Sequence, residues 1–295
     1  LVTYKFTPGP FTTIMREAYR NPTQEYILII EEINRGNAPA IFGEVFQLLD
    51  RTLEPKKDHE VVYPAGTSEY GITNRYMATV IYGDGGHKVR IPSNLSVIGT
   101  MNTSDQNVFT LDTAFQRRWN MRLIENTFEN VRPSLANAKI LDTNVTWETF
   151  CTTVNKLVVG NRAKMASAED KRLGVYFVHE SDLEFDDRAI SPDNDLRGEY
   201  NVLLKAERDG NLTPEQKGRL YDIREALKKI RKFPEKVIKY LWDDAFKFNP
   251  EALFDTDNME SLEQVIRTFV YSTGRDRFKI FKPTVRSTFY PDSQA

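Results

Sequence analysis

Two glutamates, Glu31 and Glu32, stand side by side directly after the apolar run Tyr26–Ile30. A short continuous apolar run is typical of a strand that is covered on both faces of a parallel sheet. At the end of such a strand, the first carboxylate can help to hold Mg²⁺, and the second can polarise the water that attacks a nucleoside triphosphate. The pair is therefore a candidate Walker B motif, with Glu31 on the magnesium side and Glu32 as the base. The alternative is an ordinary solvated strand end.

A second polar cluster follows the apolar run Leu95–Gly99. Asn102 would lie at the carboxyl end of that strand, where its amide can orient the attacking water or contact the γ-phosphate. Asp105 can hydrogen-bond a neighbouring loop or cap the next turn. Because ligands of open parallel sheets bind beyond the carboxyl ends of the strands, we expect both clusters at one site. The alternative for Asn102 is a loop-capping asparagine.

Two adjacent arginines, Arg117 and Arg118, end a short helix that is predicted over Leu111–Arg118. Arginines in such a position can reach across a subunit boundary and stabilise the charge of a transition state. The alternative is a surface pair that is favoured by the negative end of the helix dipole. Each cluster alone has an ordinary structural explanation, but the order of the three along the chain favours the chemical one.

The elements that would position these residues alternate between strands and helices as far as about residue 124. Continuous apolar runs or strict alternation predict strands, and apolar residues three or four apart predict helices. The predicted elements are a helix over Phe11–Arg20, strands over Tyr26–Ile30, Leu95–Gly99 and Trp119–Leu123, and a helix from about Pro39 to Leu49. Residues 53–90, with the alternating segment Tyr76–Tyr82 and a Gly-Asp-Gly-Gly turn, are predicted to form one or two inserted hairpins.

From about residue 125 the sequence is predicted to be helical. Apolar residues recur at helical spacing within Trp147–Leu157, Leu220–Ile230 and Met259–Phe269. A capping box at Thr213–Gln216 predicts a helix start. The fold class is therefore α/β with a parallel sheet over residues 1–124, followed by an all-helical domain over 125–273 that carries a polar insertion at 181–212. Residues 274–295 are predicted to be a C-terminal tail.

The composition excludes several other classes of protein. The net charge of the 295 residues is −2, so no global basic field favours nucleic acid or a membrane surface. No apolar run approaches the roughly 20 residues that span a bilayer, and no secretory leader precedes the first helix. The single cysteine and three scattered histidines leave no disulfide framework or zinc site. A cytoplasmic location is therefore expected.

Three segments of the sequence resemble the AAA+ motor of McrB-type GTPases, the NTP-hydrolysing subunits of modification-dependent restriction systems. They are LIIEEINRGNAPAIFGEVFQLLD, VIGTMNTSDQNVFTLDTAFQRRW and KYLWDD. The resemblance covers about Val2–Trp242, and MNTSD followed by LDTAFQRRW is its most specific part. By position, Glu31 and Glu32 match the family's Walker B pair, Asn102 and Asp105 match its sensor-1 signature, and Arg117 and Arg118 match its trans-acting arginines.

The resemblance implies a P-loop NTPase sheet with a helical lid, Mg²⁺ as cofactor and GTP as substrate, although nothing in the sequence excludes ATP. It also implies a homo-oligomeric ring, expected to be a hexamer, with nucleotide at each interface. Hydrolysis would then drive DNA translocation and activate a McrC-like nuclease subunit. Two alternatives are a degenerate, non-hydrolysing scaffold subunit and a McrB-like ATPase in another defence or remodelling complex.

The sequence departs from the family's pattern in three places. Glu31 replaces the usual aspartate, and its longer side chain makes the metal geometry less certain. Val175 stands where the family often has histidine, so no catalytic role is transferred to that position. No G-x-x-x-x-G-K-[ST] motif occurs, and Pro8–Pro10 is no substitute, because that loop's N–H groups and lysine cradle the phosphates. We expect the P-loop, its strand and a module that recognises modified DNA to precede Leu1.

Overall fold

Two units, residues 1–123 and 124–295, make up the chain in the computed structural model. The structure describes residues 5–58, 60–102, 108–160, 171–186 and 195–291. In chain order, the first unit contains α1 (Pro10–Arg20), β1 (Tyr26–Ile30), α2 (Ala38–Phe42), β2 (Lys56–Asp58), β3 (Val61–Tyr63), α3 (Arg75–Tyr82), β4 (Leu95–Gly99) and α4 (Thr113–Gln116).

A parallel pair of strands, β1 and β4, positions the two polar clusters. The register sets Tyr26 opposite Leu95 and Ile30 opposite Gly99, so both strands end at the same level. Both have the bounds that their apolar runs predict, and these two predictions are confirmed. Because the strands are parallel, the residues that follow them emerge at one edge of the sheet.

The two faces of this strand pair differ in burial. A core that includes α1 and α3 covers one face, and its buried members include Met15, Ala18, Met77, Ala78, Ile81 and Leu95. On the opposite face Ile27, Ile29 and Ile98 are 54%, 61% and 47% exposed. The apolar run therefore predicted the strand correctly, but only one face is covered by the residues that the structure describes.

The segment Tyr76–Tyr82, predicted to belong to a hairpin, forms most of α3. The side chain of Asn74 caps this helix by accepting a hydrogen bond from the Met77 amide at 3.0 Å, and Gly83 ends it with a φ of 82°. The hairpin prediction is wrong here, because the short alternation coincides with a stripe, including Met77 and Ile81, that is buried in the core with α1.

A hairpin does occur nearer the start of residues 53–90, where β2 and β3 pair antiparallel. Arg90 holds it to the rest of the unit. One guanidinium nitrogen lies 2.8 Å from the Asp58 carboxylate, another donates to the Glu69 carbonyl at 2.7 Å, and the group lies over the Tyr63 ring. The prediction of an inserted hairpin is confirmed for this part of the segment.

The third predicted strand, over Trp119–Leu123, is absent from the structure. Met121 and Leu123 are 56% and 85% exposed, and no strand among the described residues pairs with the segment. Alternation favours a strand only where a neighbouring edge satisfies the backbone groups and a core covers one face. Neither condition is met for this segment within the described part of the chain, so the prediction is wrong.

The helix predicted from Pro39 to Leu49 is divided at Gly43. Pro39 lies in the first turn of α2, as expected of a residue without an amide hydrogen. Gly43 has a φ of 50°, which glycine adopts without steric penalty, and a 3-10 helix over Gly43–Leu49 follows. This second helix carries Phe46 and leads directly to Asp50, two residues that matter for the arginine pair.

The second unit consists of helices around one hydrophobic core. Its elements are α5 (Pro133–Ala136), α6 (Trp147–Gly160), α7 (Leu196–Arg208), α8 (Pro214–Phe233), α9 (Leu262–Tyr271) and α10 (Pro283–Phe289). The capping box is confirmed, since the Thr213 hydroxyl accepts a hydrogen bond from the Gln216 amide at 3.2 Å. Within the ranges described, no helix combines the length and apolarity needed to cross a membrane.

Two segments of this unit are more ordered than the sequence predicts. Within the polar insertion at 181–212, residues 196–208 form α7, whose Leu203 is buried. The predicted tail is a correction: through residue 291 it contains a 3-10 helix and α10, and Phe278, Phe281 and Phe289 lie in the core. The aromatic residues of this region are too irregularly spaced to show a helical period, so their burial depends on packing alone.

A buried ion pair fixes residues 274–280 to the rest of this core. The Arg277 side chain is fully buried, pairs with Asp142 and donates to the Phe269 carbonyl at 2.7 Å. The second Asp142 oxygen accepts a hydrogen bond from the Gly274 amide at 2.7 Å. Burial lowers the pKa of the Arg277 guanidinium below its usual range. Asp142 is therefore the group that makes this buried cation tolerable.

Asp142→Asn is expected to lower the free energy of unfolding by about 3–5 kcal/mol, because it leaves a buried charge without its counterion. Chemical denaturation followed by circular dichroism measures the change. The matched control is Asp276→Asn, whose carboxylate is half-exposed and pairs with Lys279, and which should cost about 0–1 kcal/mol. Equal effects of the two substitutions would contradict the importance of the buried pair.

Candidate active site

The ends of β1 and β4 are joined by hydrogen bonds through Thr100. The Thr100 amide donates to the Ile30 carbonyl at 2.9 Å, and the Thr100 carbonyl accepts from the Ile33 amide at 2.8 Å. Its hydroxyl accepts from the Glu32 amide at 3.2 Å. The turn that carries the two glutamates is thus held directly to the residue after β4. Sequence reasoning did not single out Thr100, because its role depends on the strand register.

Glu32 has an unusual backbone conformation for a residue with a side chain. Its φ is 50°, in the left-handed region, where only one other described residue apart from glycines lies. Such strain costs on the order of 1–3 kcal/mol and occurs preferentially at functional sites. The Glu32 carboxylate is about half-exposed and pairs with Arg35, three residues later in the same turn. The strained backbone directs the Glu32 carboxylate away from the course of the strand.

Asn34 links this turn to the second polar cluster, and it is a residue that the sequence analysis missed. It is only 3% exposed, its amide nitrogen donates to the Asn102 carbonyl at 2.7 Å, and its own carbonyl accepts from the Phe109 amide at 2.8 Å. Its side-chain oxygen is buried without a hydrogen-bond partner. An asparagine within a polar turn carries no pattern that marks it as buried, so only the fold reveals it.

The structure brings Glu31, Glu32 and Asn102 to one edge of the sheet. Asn102 is exposed and lies two residues beyond Thr100, and its backbone is bonded to Asn34. Asp105 lies outside the described residues. Three of the predicted site residues therefore share the sheet edge that parallel strands dictate.

The two arginines are positioned by α4, which is capped by Asp112 and packed through Phe115. The Asp112 carboxylate accepts a hydrogen bond from the Phe115 amide at 2.7 Å. The Phe115 ring is fully buried, with Phe42 and Phe46 each 5.4 Å away and Trp119 at 5.7 Å. The helix that ends in the arginines therefore rests on the two helices that follow the glutamate turn.

Arg117 and Arg118 have different surroundings. Arg117 is exposed, and its side chain forms no ion pair or hydrogen bond with the residues that the structure describes. The Arg118 side chain is 9% exposed and pairs with Asp50, its Nε lying 3.0 Å from the carboxylate. The sequence analysis treated the two arginines as equivalent, and the structure separates them.

A buried arginine next to Asp50 joins this region to the start of β4. Arg51 donates through one nitrogen to the Gly66 carbonyl at 2.8 Å and through another to the Leu95 carbonyl at 2.7 Å. Burial lowers the pKa of Arg51 to about 10, which leaves the group charged at neutral pH. The segment after the 3-10 helix is thus tied to the strand that leads to Asn102.

The residues at the sheet edge fit a magnesium ion that is held mainly by water and phosphate. Glu31 is exposed, and its carboxylate forms no ion pair or hydrogen bond with the described residues. Mg²⁺ prefers oxygen ligands and keeps several waters, so one or two carboxylates suffice beside a nucleotide. Across the described ranges, no group of three or more His, Cys, Asp or Glu side chains is placed to hold a metal by protein ligands alone.

Comparison with known proteins gives the first unit a family and the chain two curated relatives. Residues 2–119 match the AAA domain (dynein-related subfamily). The chain is 36% identical over 189 residues to the type II restriction enzyme BsuMI component YdiS of Bacillus subtilis (strain 168), across 62% of this chain and 51% of that protein. It is 30% identical over 158 residues to the type IV methyl-directed restriction enzyme EcoKMcrB subunit of Escherichia coli (strain K12), across 53% and 30%.

These matches confirm the resemblance to McrB-type proteins that the sequence motifs predicted. The chain spans about half the length of one relative and less than a third of the other. The family match covers the glutamate turn, both strands and the two arginines, which are the parts of the site described above.

Proposed function

Residues 2–119 belong to the AAA domain family, dynein-related subfamily, and on that premise we propose that the chain is part of an NTP-hydrolysing motor subunit of a McrBC-like restriction system. The observation that carries the proposal is the meeting of Glu31, Glu32 and Asn102 at one sheet edge. Thr100 and Asn34 hydrogen-bond the two segments together there. A shared, rigid edge is what positioning of a water and a triphosphate requires.

The residues of this edge divide the chemistry between them. Glu32 accepts the proton of the attacking water, and Asn102 orients that water or contacts the γ-phosphate. Glu31 helps to hold Mg²⁺ through its water shell, and the ion, when bound, neutralises charge on the β- and γ-phosphates. To act on water, the Glu32 carboxylate must leave Arg35, an exchange that its partial exposure permits.

The arginine-bearing end of α4 completes the site of a neighbouring copy in this proposal. Subunits form a ring, which we propose to be a hexamer, with nucleotide at each interface. Positive charge supplied across an interface stabilises the transferring phosphoryl group, so hydrolysis depends on assembly. GTP is the proposed substrate, on the resemblance to McrB-type GTPases.

The proposed partners follow from the named relatives, both of which are components of restriction enzymes. Hydrolysis in the ring would drive DNA translocation and activate a McrC-like nuclease subunit. DNA would be engaged by the assembled complex, because the chain has a net charge of −2 and no general basic field.

The test is to measure hydrolysis of GTP and of ATP by the purified full-length protein, with Mg²⁺ and with EDTA. We expect magnesium-dependent hydrolysis, faster with GTP, and a further increase when a McrC-like nuclease encoded beside it is added. A protein that hydrolyses neither nucleotide would favour the non-hydrolysing scaffold. A rate that the nuclease leaves unchanged would favour a motor in another defence or remodelling complex.

A further inference from the structure

Arg118 is held by three contacts within its own chain. Its Nε lies 3.0 Å from an Asp50 carboxylate oxygen, and one of its terminal nitrogens donates to the Ala114 carbonyl at 2.6 Å. Its guanidinium carbon lies 4.0 Å from the centre of the Phe46 ring, within the range of a cation–π contact. With the side chain 9% exposed, the planar cation is engaged both at its edge and on one face.

Arg117 is adjacent in sequence but faces a different direction. Consecutive residues of a helical turn point about 100° apart, so a helix end that buries one of them presents the other outward. Arg117 is exposed, and its guanidinium has no hydrogen bond or ion pair with any residue that the structure describes. It is therefore already in the state that contact with another subunit requires.

The partners of Arg118 belong to the segment that follows the glutamate turn. Phe46 lies in the 3-10 helix Gly43–Leu49, and Asp50 is the residue that ends this helix. The Asp50 carbonyl also accepts a hydrogen bond from the Glu69 amide at 2.7 Å, so Asp50 is fixed from two sides. Arg118 thus fastens the end of α4 to the helix that leads away from the two glutamates.

We propose that Arg118 is a positioning residue that acts through Asp50 and Phe46, and that Arg117 alone is presented to the nucleotide of a neighbouring subunit. This inference rests on the proposed NTP hydrolysis and assigns different roles to two residues of that site. If Arg118 were to cross the interface, the Asp50 carboxylate, which is 29% exposed, would lose its counterion. Release of Arg118 would also free the helix end on which Arg117 stands.

The test is a double-mutant cycle in the full-length protein with Arg118→Ala, Asp50→Asn and both together. Each single substitution should lower kcat by about 10- to 100-fold with little change in KM, because a misplaced Arg117 affects the transition state more than the bound substrate. The double variant should be no worse than the weaker single variant, since both remove one contact. Arg118→Lys, which keeps the charge near Asp50 but not the planar stacking on Phe46, should retain intermediate activity.

The matched control is Asp58→Asn, which breaks another Asp–Arg pair of the same unit, with Arg90, at 2.8 Å. It should leave kcat unchanged, and thermal unfolding of every variant identifies general loss of stability. A wild-type kcat in Asp50→Asn, together with a large loss in Arg118→Ala, would overturn the inference, because Arg118 would then act without Asp50. Additive losses in the double variant would overturn it too. If the wild-type protein hydrolyses neither GTP nor ATP, the proposed function fails first, and the positioning role fails with it.

Discussion

Glu32→Gln is expected to retain nucleotide but to lower turnover by about 10²–10⁴-fold, the usual contribution of a general base. Glutamine has the size of glutamate, and its carbonyl oxygen can still accept a hydrogen bond from Arg35, so the strained turn should keep its shape. It has no carboxylate to take the proton of the attacking water. The measurement is kcat for GTP and ATP hydrolysis by the full-length protein, beside equilibrium binding of a fluorescent nucleotide.

The matched control for this substitution is Glu25→Gln. Glu25 is an exposed glutamate that directly precedes β1, whereas Glu32 follows it, so the two lie at opposite ends of one strand. We expect unchanged turnover for Glu25→Gln. Normal turnover in Glu32→Gln would remove Glu32 from the mechanism, and loss of nucleotide binding together with turnover would assign it a structural role.

Arg117→Ala is expected to lower turnover by about 10³–10⁵-fold, the effect of removing an arginine that acts across an interface. Because the missing group belongs to the neighbour's site, mixing can restore activity. An Arg117→Ala subunit still has Glu32, and a Glu32→Gln subunit still has Arg117. Where the two meet in the right order, one complete site forms, so mixed rings should hydrolyse nucleotide although neither variant does so alone.

The readout is the hydrolysis rate against the mixing ratio, with ring size followed by light scattering. Arg122→Ala is the control, since Arg122 is an exposed arginine that lies outside α4 and should change nothing. Absence of rescue at every ratio, with rings intact, would contradict action in trans. Retained activity in Arg117→Ala alone would remove this arginine from the transition state.

Elements whose cause is local were predicted well from the sequence. The bounds of β1 and β4 follow from apolar runs, and the start of α8 follows from the Thr213 capping box. The segment Tyr76–Tyr82 was mistaken for part of a hairpin because seven residues are compatible with either period, and packing against α1 decided between them. The segment Trp119–Leu123 failed for the opposite reason, because its pattern was clear and the partner strand it needs is absent from the described residues.

For the candidate site, the sequence by itself determined which residues could share an edge. Glu31, Glu32 and Asn102 each follow an apolar run, and parallel strands bring their carboxyl ends together whatever the rest of the chain does. The same reasoning placed two arginines at the end of α4, but it could not distinguish them, since adjacent residues of one type carry the same pattern.

Only the tertiary structure decided how these groups are held. Asn34 is buried because the turn folds back against the chain beyond β4, and Arg118 meets Asp50 across 68 positions of sequence. Such contacts arise from the register of two strands and the packing of Phe115, neither of which any local period encodes. The identity of the reactive groups is a local property of the chain. Their orientation, and the choice of which arginine remains available, depends on contacts between segments that are distant in sequence.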